Sequence, residues 1–473
     1  MQARDQRRRA RAAAFPLAAL AMSSLTAAPP ASAASLCKAF QDAIADARSV
    51  VAAAPFVADE AERAEGPRYL AANITAALQD ALLSADPARP QFGRGDLRYD
   101  LGLSNPDNVY YLARIEPGAE YRIVGAHGTS ADLTIQALIG YPGTGSLGQN
   151  AGLLRLAQID FSEGGRFEVA VSSEPRSGNW LEIAPGADTL VIRETFQDWA
   201  SEQPGSYRLE RVGGPRSDAR PSRAQLGAAL LEAAFLLRTQ SDLYVRVVAG
   251  FLGLIPPGPG NPAPTALPPN VLTPPIETAN GLPGQRSSIV QFALGEGQAM
   301  IVTASPSRFP YQGFQVGNVW FESFEWARHQ TSLTTAQARA DADGRYRFVI
   351  SPTDPGVPNW LDTRGQRRGF AFMRWQGLDE DIPPADFPTA EIVDLASLRS
   401  ELPADTPTID PPTRQRLLAI REILASRRLR QTGGPVRELA LRLGELARVL
   451  GTRCPFSNLV PRNATQVGTR NLD

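Results

Sequence analysis

Residues 174–182 have the sequence Glu-Pro-Arg-Ser-Gly-Asn-Trp-Leu-Glu, and residues 354–362 have the sequence Asp-Pro-Gly-Val-Pro-Asn-Trp-Leu-Asp, 180 positions later. In both stretches a proline favours a turn, an asparagine can hydrogen-bond nearby backbone, and a tryptophan can fill a hydrophobic core. A hydrophobic strand that carries an arginine, Arg193 or Arg374, follows each copy. This order of strand, turn, Asn-Trp-Leu and strand predicts that one β unit occurs twice in the chain.

Runs of alternating apolar and polar residues surround both copies. They extend from about residue 94 to 212 and from residue 288 to 377, with Gly, Pro, Asn and Asp between them. This pattern is typical of short antiparallel strands rather than of alternating strands and helices. We therefore expect a mainly β protein of the α+β class, with two β-sandwich or jelly-roll modules at residues 91–215 and 276–380.

Three other parts of the chain have apolar residues at helical spacing. The sequence predicts N-terminal helices in residues 34–90. It predicts a helix and a proline-rich linker in residues 216–275, where nine of the residues from 256 to 275 are proline. It also predicts a C-terminal helical extension over residues 381–473. These N-terminal, inter-module and C-terminal helices would flank the β modules.

The predicted C-terminal extension contains a helical hairpin with a break near residue 433, where two glycines and a proline follow each other. Its first helix has Leu417, Ile420 and Leu424 at the spacing of an apolar packing face. Its many arginines are interpreted as a solvated basic surface, and a partner-binding surface is the alternative.

The first 33 residues have the three parts of a secretory signal peptide. An arginine-rich start is followed by an apolar run from Ala12 and by Ala31-Ser32-Ala33, which fits a cleavage site of the A-x-A type. A buried N-terminal helix is the alternative, since the run is too short to span a membrane. We expect export to the periplasm or the cell exterior, cleavage near Ala33, and no transmembrane segment in the mature chain.

Export changes the expected state of the two cysteines, Cys37 and Cys454. In an oxidising compartment, two thiols near the ends of a chain can pair, so the sequence predicts a disulfide that joins them. Two separate buried thiols are the alternative.

Composition excludes several classes of function. The 473 residues include 48 Lys and Arg and 49 Asp and Glu, and this nearly neutral balance argues against a nucleic-acid partner. The chain has one lysine, Lys38, so it has no spare lysine for a phosphate loop or a Schiff base. Two histidines and two cysteines are too few for a His/Cys metal cage, and we expect neither a metal nor a cofactor.

Several phrases resemble a known family. Residues 311–323, Tyr-Gln-Gly-Phe-Gln-Val-Gly-Asn-Val-Trp-Phe-Glu-Ser, residues 354–365, which continue the second repeat to Asp-Thr-Arg-Gly, and Met373-Arg-Trp resemble the DUF1214 family, a domain of unknown function. Arg63-Ala-Glu-Gly-Pro-Arg-Tyr-Leu, Ser104-Asn-Pro-Asp-Asn and Arg193-Glu-Thr-Phe-Gln-Asp-Trp resemble the N-terminal part of proteins that pair DUF1254 with DUF1214.

This resemblance covers about residues 38–378. It implies two β-sandwich modules, the second of jelly-roll type, in bacterial proteins without an established activity. The chain departs from the family at Gln366, where many members have a histidine. A mechanism that depends on that histidine is therefore not expected here.

Carboxylates are the best candidates for acid–base chemistry, because they need no histidine and burial can separate the pKa values of a pair. Glu322 follows two aromatic residues in a predicted strand, where burial would raise its pKa. Asp354 and Asp362 flank the second Asn-Trp corner, and either can complete a pair with Glu322. A structural salt bridge between Glu322 and Arg374 is the alternative.

A cleft between the two modules is the expected place for a ligand, because ligand sites favour domain interfaces. Amides, arginines, a carboxylate and a tryptophan suit stacking against and hydrogen bonding to a polar molecule. The candidate ligand-binding residues are Asp107, Asn108, Arg193, Asn318, Asn359, Trp360 and Arg374. The two histidines, His127 and His329, are interpreted as loop and interface residues rather than as catalytic bases.

Two functions follow from these candidates. In the first, an exported protein binds a polar or sugar-like ligand, or an envelope partner, in the cleft between its modules. In the second, a hydrolase or lyase uses Glu322 with Asp354 or Asp362 on a carbohydrate-like or other polyhydroxy or anionic substrate, which Arg193 and Arg374 hold.

Overall fold

The structure is a computed structural model that describes most of the chain. Cys454, most of the predicted signal peptide and the second helix of the predicted hairpin lie outside the described residues, so the disulfide and the cleavage site stay predictions. The described residues are 32–84, 86–94, 101–140, 148–214, 222–256, 258, 263, 266–277 and 281–430.

The first β unit follows a short strand, β1 (Gly93–Arg94), and has eight strands. They are β2 (Asn108–Arg114), β3 (Tyr121–Ala126), β4 (Asp132–Ile139), β5 (Gln149–Arg155), β6 (Arg166–Ser172), β7 (Trp180–Glu182), β8 (Thr189–Thr195) and β9 (Ser206–Arg211). One sheet has the order β1-β2-β8-β4-β5 and the other has the order β7-β6-β3-β9. Both sheets contribute to one core that includes Ile123, Ile135, Val169 and Ile192, as a sandwich requires.

The second β unit also has eight strands. They are β10 (Arg286–Ala293), β11 (Gln298–Ala304), β12 (Tyr311–Gly317), β13 (Ser332–Thr334), β14 (Tyr346–Ser351), β15 (Trp360–Asp362), β16 (Arg368–Gln376) and β17 (Thr389–Asp394). The sheet orders are β10-β16-β12-β13 and β15-β14-β11-β17. Its core includes Val302, Phe314, Phe348 and Met373, again from both sheets.

The two units have the same topology. We match β2 with β10, β3 with β11, and so on in chain order up to β9 with β17. With this matching, the strand orders of the two units coincide. The prediction of a repeated β unit is therefore confirmed. The second unit extends past the predicted boundary at residue 380, because β17 pairs with β11 and completes the second sheet.

The repeated Asn-Trp phrases are equivalent structural corners. Trp180 donates its indole N–H to the carbonyl oxygen of Ser172 at 3.2 Å, and Trp360 donates to that of Ser351 at 3.1 Å. In both units the tryptophan opens a short strand that pairs in parallel with the preceding one. The two tryptophans therefore recur 180 residues apart because each forms the same structural corner of its β unit.

The helices are α1 (Ala33–Ala52), α2 (Glu60–Gln79), α3 (Arg223–Phe251), α4 (Leu398–Glu401) and α5 (Pro411–Arg430). Apolar side chains of α1 and α3 pack with Leu112 of β2, whereas those of α2 and α3 pack with Phe370 and Phe372 of β16. The N-terminal and inter-module helices thus contact both β units. Among the described residues, no helix is both long and apolar enough to cross a membrane.

Helix α5 matches its predicted packing face at Leu424, which packs on the core of the first β unit, but differs from it elsewhere. Arg414, Arg421 and Arg428, seven residues apart, are buried. Leu417 and Ile420, which the sequence assigns to a packing face, are 40% and 52% exposed. The interpretation of the arginines as a solvated surface is wrong for these three, because aromatic rings and carbonyl oxygens of both β units accept their guanidinium groups.

Candidate functional site

The two β units meet through the outer faces of the sheets that contain β8 and β16. Thr195 donates a hydrogen bond to Gln376 Oε1 across this contact, and Arg155 donates one to the carbonyl oxygen of Pro283 at 2.8 Å. Tyr311 of the second unit donates to a carboxylate oxygen of Asp107 in the first. We call this contact the seam.

Two rows of side chains define the seam, one on each sheet. Directly paired residues of neighbouring strands point to the same face of a sheet, so each row forms one continuous surface. The first row is Tyr110, Arg193, Thr134 and Arg155, and the second row is Ser287, Arg374, Gly313 and Thr334. Matching strands by topology places Arg193 and Arg374 at the same position in the two units.

Asp107 lies at one end of the seam and is 1% exposed. Its carboxylate accepts hydrogen bonds from the Tyr311 hydroxyl at 2.8 Å and from the Trp199 indole N–H at 2.9 Å. Burial raises the pKa of Asp107, and the positive charges of Arg428 and Arg421 oppose that rise. Asp107 therefore joins the first unit, the second unit and α5 at one buried point.

Asn108 and Arg193 share Tyr110 as a neighbour. Asn108 Nδ2 donates to the Tyr110 hydroxyl at 3.0 Å, and the Arg193 guanidinium carbon lies 5.2 Å from the centroid of the Tyr110 ring. Arg193 Nε and Nη1 are buried and have no hydrogen-bond partner among the described residues. The guanidinium group thus retains donors that are directed into the protein.

Arg374 is 8% exposed and donates hydrogen bonds to Gln315 Oε1 and to the carbonyl oxygen of Leu103, the latter at 2.8 Å. Burial lowers the pKa of Arg374, whereas the nearby Tyr110, Tyr311 and Asp107 raise it and the charge of Arg193 lowers it. The structure thus brings Asp107, Asn108, Arg193 and Arg374 together in the seam. The two arginines differ, because Arg374 donates to protein acceptors whereas Arg193 Nε and Nη1 have none among the described residues.

Glu322 and Asn318 lie at the contact between the second unit and α2. Asn318 Nδ2 donates to Glu322 Oε2 at 3.0 Å, and Arg68 Nε of α2 lies 3.7 Å from the same oxygen. Glu322 is 1% exposed, and burial raises its pKa against the opposing charge of Arg68. Arg68, not Arg374, is therefore the arginine that faces this carboxylate.

Asp354, Asn359 and Trp360 lie under α5. Arg414 holds both carboxylate oxygens of Asp354, at 2.8 and 3.2 Å, and its guanidinium carbon is 5.2 Å from the centroid of the Trp360 ring. Asn359 Nδ2 donates to the carbonyl oxygen of Arg339 at 2.7 Å. Asp354 and Trp360 thus hold the corner against the helix, whereas Asn359 joins the corner to Arg339.

Asp362 has a different neighbour, because its Oδ2 lies 3.5 Å from His329 Nδ1. The three candidate carboxylates therefore lie in three separate environments. Among the described residues, no hydrogen bond or ion pair joins Glu322 to Asp354 or to Asp362.

His127 contacts a buried serine and, through it, a buried carboxylate. His127 Nε2 lies 3.0 Å from Ser130 Oγ, which donates to Glu194 Oε1 at 3.3 Å. In a catalytic triad the histidine stands between the nucleophile and the acid. Here the serine stands between the other two, so this group does not have the order of a triad.

The sequence alone did not identify Thr134 and Ser287, which flank the two equivalent arginines in the rows. The 180-residue offset of the repeat does not reveal the two rows, because it places Arg193 against Met373 rather than against Arg374. The buried arginines of α5 were also not identified, although their seven-residue spacing was visible in the sequence. Among the described residues, no group of three or more His, Cys, Asp or Glu is placed to hold a metal ion.

Comparisons with known proteins provide a likeness in fold. No protein-family model matches the chain, and no curated protein matches it. The crystal structure of an uncharacterized protein from Burkholderia cenocepacia matches with a TM-score of 0.67 and 27% identity, over 77% of this chain and 99% of that chain. The structure of a protein from Vibrio parahaemolyticus has a TM-score of 0.38 and 12% identity, over 68% of this chain and 100% of that one. Neither description states an activity.

Proposed function

We propose that this chain, exported as its N-terminal sequence predicts, is a binding protein that takes a small polar ligand at the seam between its two β units. The observation that carries the proposal is the meeting of four candidate ligand-binding residues, Asp107, Asn108, Arg193 and Arg374, on facing sheets. Ligand sites favour such interfaces between units.

The charges of the seam support the proposal. Arg193 has two buried nitrogen donors without a protein acceptor, and a buried polar group without a partner is costly. A bound ligand would offset this cost by accepting those hydrogen bonds. By contrast, the acid–base candidate Asp354 already has both oxygens in an ion pair with Arg414.

A thermal-shift screen of the full chain tests this function. The compounds are neutral sugars, small carboxylates and phosphates, and the proteins are the wild type, Arg193→Gln and Arg122→Gln. Arg122 is an exposed arginine on the sheet remote from the seam, where it pairs with Glu210, so it serves as the matched control. We expect at least one compound to raise the Tm of the wild type and the control but not that of Arg193→Gln. No shift with any compound, or equal shifts in all three proteins, would contradict the proposal.

One observation favours the alternative of a carboxylate-dependent hydrolase or lyase. Burial raises the pKa of Glu322, which a general acid requires. The test is turnover of any compound that binds in the screen, compared between the wild type and Glu322→Gln. Binding without turnover in the wild type would exclude catalysis of that compound.

A further inference from the structure

We infer that the ligand of the seam is a small oxyanion, a carboxylate or a phosphate, which Arg193 holds with help from Thr134 and Ser287. This inference rests on the proposed function and adds the chemical class of the ligand.

The unpartnered atoms of the rows are all able to donate. Arg193 Nε and Nη1, Thr134 Oγ1 and Ser287 Oγ are buried and have no hydrogen-bond partner among the described residues. A guanidinium group can only donate, and a hydroxyl group can donate or accept. The missing partner must therefore supply acceptor oxygens rather than N–H groups.

The position of these atoms is set by strand register. Thr134 is directly opposite Arg193 across β4 and β8, and Ser287 is directly opposite Arg374 across β10 and β16. Each facing sheet thus places one hydroxyl group beside one arginine. A ligand in the seam would meet donors from both β units.

Arginines outnumber carboxylates along the rows. The two rows contain Arg155, Arg193 and Arg374 and no acidic residue. The nearby acids are Asp107, which Tyr311 and Trp199 hold, and Asp132. Burial raises the pKa of both, and Arg155 and Arg193 oppose that rise at Asp132. The surplus of positive charge in a buried place favours an anion over a neutral sugar.

The unpartnered donors of Arg193 suit an anion with several acceptor oxygens. They are Nε and Nη1, which point from different edges of the guanidinium group. Each can donate a hydrogen bond to an oxygen of a carboxylate or phosphate. Arg374, whose donors are engaged by Gln315 and Leu103, contributes its charge.

Isothermal titration of the full chain tests this inference. The probes are sodium phosphate, sodium succinate and glucose, each against a sodium chloride baseline of equal ionic strength. We expect phosphate or succinate to bind the wild type and glucose not to bind. We expect Arg193→Gln to weaken oxyanion binding by about tenfold or more, since a hydrogen bond to a charged group contributes about 1.5–3 kcal/mol.

Two further variants keep the test decisive if Arg193→Gln does not fold. Thr134→Val removes only the adjacent hydroxyl group and should weaken the oxyanion severalfold, whereas Arg122→Gln should bind as the wild type does. The phosphate and succinate titrations separate an inorganic from an organic anion.

The outcomes distinguish this inference from the proposed function. If glucose binds in a manner that depends on Arg193 and the anions do not, the seam is the site but the oxyanion class is wrong. If an anion binds equally well to the wild type and to both seam variants, the seam is not its site. If no probe binds the wild type, the oxyanion inference fails, and the thermal-shift screen decides the proposed function separately.

Discussion

Thr195 and Gln376 occupy equivalent positions in the two β units and are hydrogen-bonded to each other. Each lies two residues after the arginine of its row, and each is at most 1% exposed. Gln376 also donates to Gln285 Oε1 at 2.9 Å. Contact between equivalent residues is the arrangement expected close to the axis of a twofold interface, and this hydrogen bond has that form.

Thr195→Val should lower the free energy of unfolding by about 1–3 kcal/mol, because Gln376 Oε1 would lose its buried donor. Equilibrium unfolding in urea measures this change. Thr389→Val, at an exposed position of β17, is the control and should stay within about 0.5 kcal/mol of the wild type. Equal midpoints for the two variants would show that the seam bond does not stabilise the fold.

Gly66→Ala should destabilise the protein even though alanine is the better helix former. A methyl group at this position of α2 would lie 2.9 Å from Val51 Cγ1 and 3.2 Å from Trp320 Cζ2. Overpacking costs about 1–3 kcal/mol, against a gain of about 1 kcal/mol in helix propensity.

Gly227→Ala in α3 is the matched control, since the new methyl group would meet only the flexible end of Leu36 at 3.1 Å. We expect thermal denaturation to give a lower Tm for Gly66→Ala and an unchanged or higher Tm for Gly227→Ala. Stabilisation by both substitutions would contradict close packing of α2 on Trp320.

Arg414→Met should lower the free energy of unfolding by about 1–3 kcal/mol, because it leaves Asp354 Oδ2 and the buried Gln330 Oε1 without their donor. Arg416→Met, on the exposed side of α5, should have almost no effect. Ile423→Gln, at a position 61% exposed, should also be neutral. Unfolding in urea measures the free energy of unfolding of the three variants. If Ile423→Gln lowered it most, α5 would bury its apolar face, as an ordinary amphipathic helix does.

Glu202 should make stability fall as the pH rises from about 4.5 to about 7. Burial raises the pKa of this carboxyl group from 4.5 to about 7. A group whose pKa is higher in the folded state favours folding while it is protonated, and this contribution is lost as the pH passes through the folded pKa.

Glu202→Gln should therefore reduce this fall in the wild-type urea midpoint between pH 5 and pH 8. The exposed Glu391→Gln should retain the wild-type dependence on pH. Parallel curves for the wild type and Glu202→Gln would show that another group causes the pH dependence.

The repeat was predictable because its short phrases contain residue types with strong local preferences. Proline, asparagine and tryptophan place the corners at Trp180 and Trp360 in equivalent environments. The equivalence of Arg193 and Arg374 also followed from their positions after each corner. By contrast, Asn-Val followed by two aromatic residues occurs at residues 108–111 and again at residues 318–321. These two stretches are not equivalent, since one begins β2 and the other follows β12.

The orientation of α5 was not predictable from periodicity. Apolar spacing assigned Leu417 and Ile420 to the inside, but the surface that receives the helix offers aromatic rings and carbonyl oxygens to arginines. Those acceptors come from residues distant in sequence, such as Trp199 and Trp326. For the same reason no local pattern placed Arg68 beside Glu322, because that contact depends on how α2 packs against the second unit.

The shared register of the two rows has an evolutionary consequence. A single ancestral unit with this outer face could pair with a second copy of itself, and duplication within one gene would then join the partners covalently. Within one chain the two halves can differ in sequence, as they do at the matched positions Thr134 and Gly313. One chain can thus hold an asymmetric site that an identical pair of subunits could not form.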